Sequence, residues 1–280
     1  MKVAYIHKLV DAGLTRIQVT SFVSPRYVPQ MADADQVARA IIKKQGVVYS
    51  ALVLNSKGVA RAVDAGLNHL SVSLSASNAH SVKNTNKTIE ASKVEFADMV
   101  RQAKNAGVAV RAGIQCAFGC RYEGAIDPNL VLDLVKHHLD LGIDEISLAD
   151  STGMANPAAV RLMMAQVVAL AGELPVNLHL HDTEGKGLAN LLAAYETGVR
   201  QFDTAFGGLG GCPFIAGATG NIATEDVVNM LNQMGIETGI DIVPIVEAAR
   251  HFEAFLERKL PGKIKEVQPS GYPNPRPFPQ

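Results

Sequence analysis

Two histidines one residue apart, His179-Leu180-His181, run into Asp182-Thr183-Glu184-Gly185, and an unusual stretch, Gly207-Gly208-Leu209-Gly210-Gly211-Cys212-Pro213, follows downstream. On a strand, side chains at i and i+2 share a face, so both imidazoles point the same way. Two neutral imidazoles can hold a divalent cation and leave most of its coordination sphere to other donors. An isolated pair of this kind is equally compatible with two half-buried histidines making ordinary hydrogen bonds. Asn221, after the glycine-flanked Gly217-Ala218-Thr219-Gly220, offers an amide oxygen as a third donor, or else a helix N-cap. Imidazole and oxygen donors with open positions suit Mg²⁺, Mn²⁺ or Zn²⁺ rather than a structural cysteine-rich zinc site.

Cys212 sits between Gly211 and Pro213, directly after a glycine-rich stretch. A free cysteine is often a small buried hydrophobe, but loops lie at the surface and carry function. A thiol placed there can serve as a nucleophile or a proton donor. Asp150-Ser151-Thr152-Gly153 closes another apolar run, Ile146-Ser147-Leu148-Ala149, and brings a carboxylate and two hydroxyls to the end of a strand. Those groups suit a polar substrate or a metal-bound water; Ser151 and Thr152 equally suit a helix cap. Gln18 and Ser21 occupy the comparable end of an earlier strand. Glu225, beside Asp226, reads as first-turn decoration of a helix.

The elements that must position these groups repeat a short phrase. A helix ends on Ala-Gly or its equivalent and an apolar strand follows, first as Asp11-Ala12-Gly13-Leu14 before Ile17-Gln18-Val19-Thr20. It returns around Gly66, Gly107, Gly142 and Gly198, before strands at Leu70–Leu74, Val110–Ile114, Glu145–Leu148 and Phe202–Thr204. Glycine supplies the left-handed residue that ends a helix. Strands alternating with helices mean a parallel sheet. With Val47–Val53 and the histidine strand the count is seven, and eight close a TIM barrel, whose catalytic rim lies at the C-terminal ends of the strands. The chain opens directly in a helix, Lys2 to Val10. The expectation is therefore an α/β, TIM (β/α)8-type barrel lacking its first strand, with extra helices at Val227–Met234 and Val243–Arg258. Either the native protein begins upstream of Met1, which is the preferred reading, or one stave of the barrel is missing. The barrel domain is assigned to residues 1–262 and a proline-rich tail to 263–280.

A chain of 280 residues with 48% hydrophobic and 19% charged residues describes one ordinary globular core. A net charge of −1 and the lack of a basic stripe argue against nucleic acid or a membrane surface as partner. No apolar run is long enough to span a bilayer and no signal peptide opens the chain. Three cysteines, Cys116, Cys120 and Cys212, cannot all pair and fit a reducing compartment, hence the cytoplasm. Packing is the preferred account of Cys116 and Cys120.

Together these motifs resemble the 3-hydroxy-3-methylglutaryl-CoA lyase family, within a larger group of metal-dependent TIM-barrel lyases and Claisen-type synthases. The resemblance rests on Thr20-Ser21-Phe22-Val23-Ser24-Pro25, Val28-Pro29-Gln30-Met31, Lys83-Asn84-Thr85-Asn86, Cys120-Arg121-Tyr122-Glu123-Gly124, Ile146 to Asp150, His179 to Thr183, and Gly207 to Asp226. It implies that His179, His181 and Asn221 bind a divalent metal, Mg²⁺ or Mn²⁺ first. It also implies that Cys212, His179 and Asp150 take part in catalysis, that Asp150, Ser147 and Ser151 line the substrate pocket, and that Gln18 contributes to substrate binding. An acyl-CoA partner is implied, with contacts around Ser21 and Asn84, and so is a homo-oligomer. The implied reaction is cleavage of a 3-hydroxyacyl-CoA to acetyl-CoA and a 3-oxo acid. A Claisen-type acyltransferase joining acetyl-CoA to a 2-oxo acid, or a non-catalytic barrel without its metal, are the alternatives. Two departures stand out. The family's Arg-Asp pair on the first strand has no counterpart here, and Gln18 stands where the lyases usually have Glu.

Overall fold

Seven strands and ten α-helices alternate along the residues described by the computed structural model, 1–210 and 220–267; Cys212 and the stretch from 268 onward lie outside them. The order is α1 (Lys2–Asp11), β1 (Arg16–Ser21), α2 (Ala34–Ala40), β2 (Val48–Val53), α3 (Ser56–Asp64) and β3 (His69–Ser75). Then come α4 (Asn78–Thr85), α5 (Ile89–Asn105), β4 (Ala109–Gln115), α6 (Pro128–Asp140), β5 (Glu145–Asp150), α7 (Pro157–Ala171) and β6 (Val176–Leu180). The last are α8 (Gly187–Tyr195), β7 (Gln201–Asp203), α9 (Thr224–Gln233) and α10 (Ile242–Leu256).

Local chemistry accounts for these boundaries. Asn55, Ser77, Thr88, Asp127, Asn156 and Asp241 each accept a backbone N–H at the start of a helix, and Pro128 and Pro157 occupy first turns where no donor is needed. The five glycines of the recurring phrase, Gly13, Gly66, Gly107, Gly142 and Gly198, all have positive φ. Each therefore turns the chain from helix into strand, as the sequence predicts.

All six neighbouring strand pairs are parallel, and the sheet order β1 to β7 follows the chain. The sheet curls as a TIM barrel does, and among the described residues β1 and β7 each pair on one side only, which agrees with the seven staves expected. Its outer face is apolar. Leu70, Val72, Val110, Ala112, Ile114, Ile146, Leu148, Leu178 and Leu180 are fully buried in the main core beneath the helices.

The inner face differs from the branched apolar layers usual in such barrels. Ser50, Ser71, Ser73, Arg111, Ser147, Asn177, His179 and Asp203 all line a single cavity of about 1720 Å³. Alternation along the strands produces this division: in β3 and β6 every second residue is polar, and in β4 and β5 Gly113 and Ala149 stand among the polar lining residues. Gly113 is part of the same lining, and a Cβ there would lie 2.3 Å from Ser73 Oγ.

Past α10, a short turn at Ile264–Glu266 packs back onto the body and buries Lys265, which pairs with Glu253 at 2.5 Å and Glu266 at 2.6 Å. The packed structure thus continues through Val267, five residues beyond the expected boundary at 262. No helix among the described residues is long and apolar enough to cross a membrane.

Candidate active site

The C-terminal end of β6 carries the two histidines, and their rings face each other with centroids 5.2 Å apart. Just beyond β6 the chain pairs with the segment 220–222, through Asp182 N–H to Gly220 C=O at 3.1 Å and Ile222 N–H to Leu180 C=O at 3.2 Å. That short antiparallel bridge sets Asn221 opposite His181. Asn221 does not cap a helix, since α9 begins after Ala223 with no side-chain cap. Its Nδ2 donates to Leu209 C=O at 2.8 Å, and Oδ1 is buried with no partner among the described residues.

His181 Nδ1 is likewise buried and has no partner among the described residues. Burial first, and the neighbouring His179 second, hold the His181 ring down to about 3, so it stays neutral with a lone pair to give. Buried polar atoms are nearly always satisfied, so unpartnered atoms on two bridged residues are consistent with a ligand between them. Among the described residues no three His, Cys, Asp or Glu side chains cluster as a metal site.

Behind His179 lies a network that the sequence does not announce. Asp203 on β7 is in register with His179, and its Oδ2 lies 3.2 Å from His179 Nδ1. Its Oδ1 accepts from Arg111 Nη1 at 2.8 Å and from Asn177 Nδ2 at 3.1 Å, and Ser147 Oγ donates to Asn177 Oδ1 at 2.8 Å. Burial opposes the charge on Asp203, but Arg111 and His179 outweigh it and hold the carboxyl well below the usual range.

Most other residues expected at the site do line the cavity. Gln18, Ser21, Asn84, Ser147 and Ser151 all face it, as do His179, His181 and Asn221. Ser21 Oγ reaches Leu52 C=O at 3.4 Å, and Asn84 Nδ2 donates to Gln115 Oε1 at 3.3 Å. Ser151 Oγ accepts from Cys116 N–H at 3.0 Å, so it braces the neighbouring strand end rather than capping α7, whose cap is Asn156. Thr152 donates to Gly119 C=O at 3.2 Å.

Asp150 is a correction. In β5 the odd-numbered Ser147 and Ala149 face the cavity, and Asp150 points to the opposite side, fully buried. Its carboxylate accepts Met154 N–H at 3.1 Å and Ala155 N–H at 3.2 Å, so it anchors the turn after β5. Burial pushes its carboxyl up to about 6, against those backbone donors. Cys116 and Cys120 are buried as expected; burial raises the Cys116 thiol to about 12.

Glu225 is not surface decoration either. It is fully buried, and both carboxylate oxygens take Gly207 N–H, at 3.1 and 2.9 Å. This clamps the first glycine before Cys212. Gly210 also lies close to the site, since a Cβ there would come within 2.4 Å of Asn221 Nδ2.

A family profile described as HMGL-like matches residues 1–251, almost the whole described body. The chain belongs to the HMGL-like family. It is 42% identical over 267 residues to the cytoplasmic 3-hydroxy-3-methylglutaryl-CoA lyase of Mus musculus, covering 95% of this chain and 78% of that one. It is 38% identical over 278 residues to (R)-citramalyl-CoA lyase of Chloroflexus aurantiacus, covering 96% and 88%. An HMG-CoA lyase from Acinetobacter baumannii, solved with coenzyme A and 3-methylmalate, superposes with a TM-score of 0.93 at 40% identity, covering 99% of this chain and 90% of that chain. These HMGL-like relatives share both the fold and the chain-long sequence likeness expected from the motifs.

Proposed function

We propose that this chain is a carbon–carbon lyase acting on a CoA thioester, and that it cleaves a 3-hydroxyacyl-CoA of the 3-hydroxy-3-methylglutaryl type with the help of a divalent cation. The observation that carries the reading is the placement of His179, His181 and Asn221 at one strand end, with buried atoms of His181 and Asn221 that have no partner among the described residues. Relatives named as HMG-CoA lyases and a citramalyl-CoA lyase support the CoA thioester and the bond type. A cytoplasmic location accords with the cysteine usage and is part of the same proposal.

His179, His181 and Asn221 would hold the cation, Mg²⁺ or Mn²⁺. When bound, such an ion supplies Lewis acidity that lowers the pKa of a substrate hydroxyl. His179 has one ring nitrogen engaged by Asp203, so a single lone pair remains to it. That lone pair can hold a cation or accept a proton, not both at once, and the clustering of His179 with His181 and Asn221 favours the former. Loss of the hydroxyl proton to a solvent base lets C3 become the ketone carbon of the 3-oxo acid, and the electron pair of the broken C2–C3 bond stays on C2 as the enolate of acetyl-CoA. The cavity's serines, asparagines and Arg111 offer donors rather than apolar walls where charge develops. The enolate then needs a proton, and Cys212, two residues along the chain from Gly210, is the proposed donor.

Incubating the chain with 3-hydroxy-3-methylglutaryl-CoA, citramalyl-CoA, and separately acetyl-CoA plus 2-oxo acids tests the reading. Acetyl-CoA and acetoacetate should appear from the first substrate; CoA release only from the condensation mixtures would assign the chain to the synthases instead. Cys212→Ala should lower turnover by about 10²–10⁴-fold, the usual contribution of a general acid, with cation affinity retained. Unchanged turnover in that variant removes Cys212 from the reaction.

A further inference from the structure

Asp203 has three polar partners, and each has a fixed role in the geometry. Arg111 Nη1 and Asn177 Nδ2 both donate to Oδ1, so Oδ2 is the oxygen left for His179, at 3.2 Å from Nδ1. The orientation of the Asn177 amide follows from its other contact: Ser147 Oγ donates to Asn177 Oδ1, which turns Nδ2 toward Asp203. Arg111 is almost entirely buried, with side-chain exposure of 9%, and Asp203 is its ion-pair partner. A carboxylate with a guanidinium against it only accepts hydrogen bonds, so the contact with His179 requires the proton on Nδ1.

We infer that Asp203, oriented by Arg111, Asn177 and Ser147, is a positioning residue that locks His179 in its Nδ1–H form and so presents Nε2 to the cation. Four strands contribute to this arrangement: Arg111 on β4, Ser147 on β5, Asn177 and His179 on β6, and Asp203 on β7. The ring is therefore held by the sheet itself rather than by a loop, which keeps its direction constant. Ser147 thereby has a structural task besides lining the cavity. The inference rests on the proposed cation site, yet the state of the ring can be read without any cation.

The test uses the whole chain and its Asp203→Asn variant, with His179 observed by ¹⁵N NMR in metal-free protein and Mn²⁺ affinity measured by titration. Parent protein is expected to show His179 protonated at Nδ1, and the variant to lose that preference and bind Mn²⁺ about 10–100-fold more weakly. Unchanged ring form and unchanged affinity in the variant overturn the inference. Should Asp203→Asn fail to fold, Ser147→Ala, which removes no charge, is expected to shift both readouts in the same direction by a smaller amount. No shift in either readout there also overturns it. Failure of the parent to bind Mn²⁺ would overturn the cation site alone, because the NMR result still decides whether Asp203 sets the ring.

Discussion

At the scale of single residues, the proposed donor set depends on how closely backbone approaches side chain. Asn221 is seated by Leu209 C=O on one side and faces His181 on the other, with Gly210 close against its amide. A methyl group at Gly210 would collide with Asn221 Nδ2, and its φ of +112° disfavours any side chain. Gly210→Ala is accordingly expected to weaken Mn²⁺ binding at least tenfold, on the order of the 1.4 kcal/mol that such a displacement readily costs. The check is a titration beside a thermal melt; affinity equal to the parent's would mean that Asn221 is not a ligand. The nearness of His179 and His181 was legible because their i, i+2 spacing is local, whereas Asn221, far along the chain, meets them only through the bridge opposite His181. Asp150 was misread because a carboxylate at a strand end says nothing about which face it takes; its parity within β5 does. Asp203 and Arg111 carry no local motif. Their partnership exists only once β4, β6 and β7 are in register, although an arginine between Val110 and Ala112 was a visible sign of a polar interior.

At the scale of elements, the helix-to-strand junctions were plainly written, since each needs a glycine in a conformation other residues avoid. The start of α9 was not. Glu225 follows the pattern of an acidic first-turn residue, but tertiary packing turns it inward onto Gly207. Burial pushes its carboxyl from 4.5 up to about 7, against the pull of the Gly207 N–H. Between those values the folded chain keeps a proton that the unfolded chain has released. The contribution of this group to stability therefore falls as pH rises through the window. Glu225→Gln keeps an acceptor for Gly207 N–H and abolishes that titration. The stability of the variant relative to the parent is expected to increase from pH 4.5 to pH 7 in denaturant unfolding. A difference that stays flat, or declines, across that range contradicts the burial-driven shift.

At the scale of the molecule, two chemistries share one sheet. Its outer face is a continuous apolar core, and its inner face brings polar side chains to a cavity large enough for an acyl thioester. Class and strand number were legible from periodicity alone, whereas the chamber's polarity becomes apparent only when alternation is read strand by strand. Leu178 lies between Asn177 and His179 and is fully buried on the outer face. Leu178→Ala should cost about 2–5 kcal/mol of folding stability while the folded variant keeps its affinity for cation. A loss of affinity without loss of stability would show that the two faces are not separable. The most direct test of the whole account is a Mn²⁺ titration followed by electron paramagnetic resonance on the parent chain and on His181→Ala. One site per chain in the parent, absent from the variant, is the predicted result. No site in the parent, or an equal site in both, would contradict it.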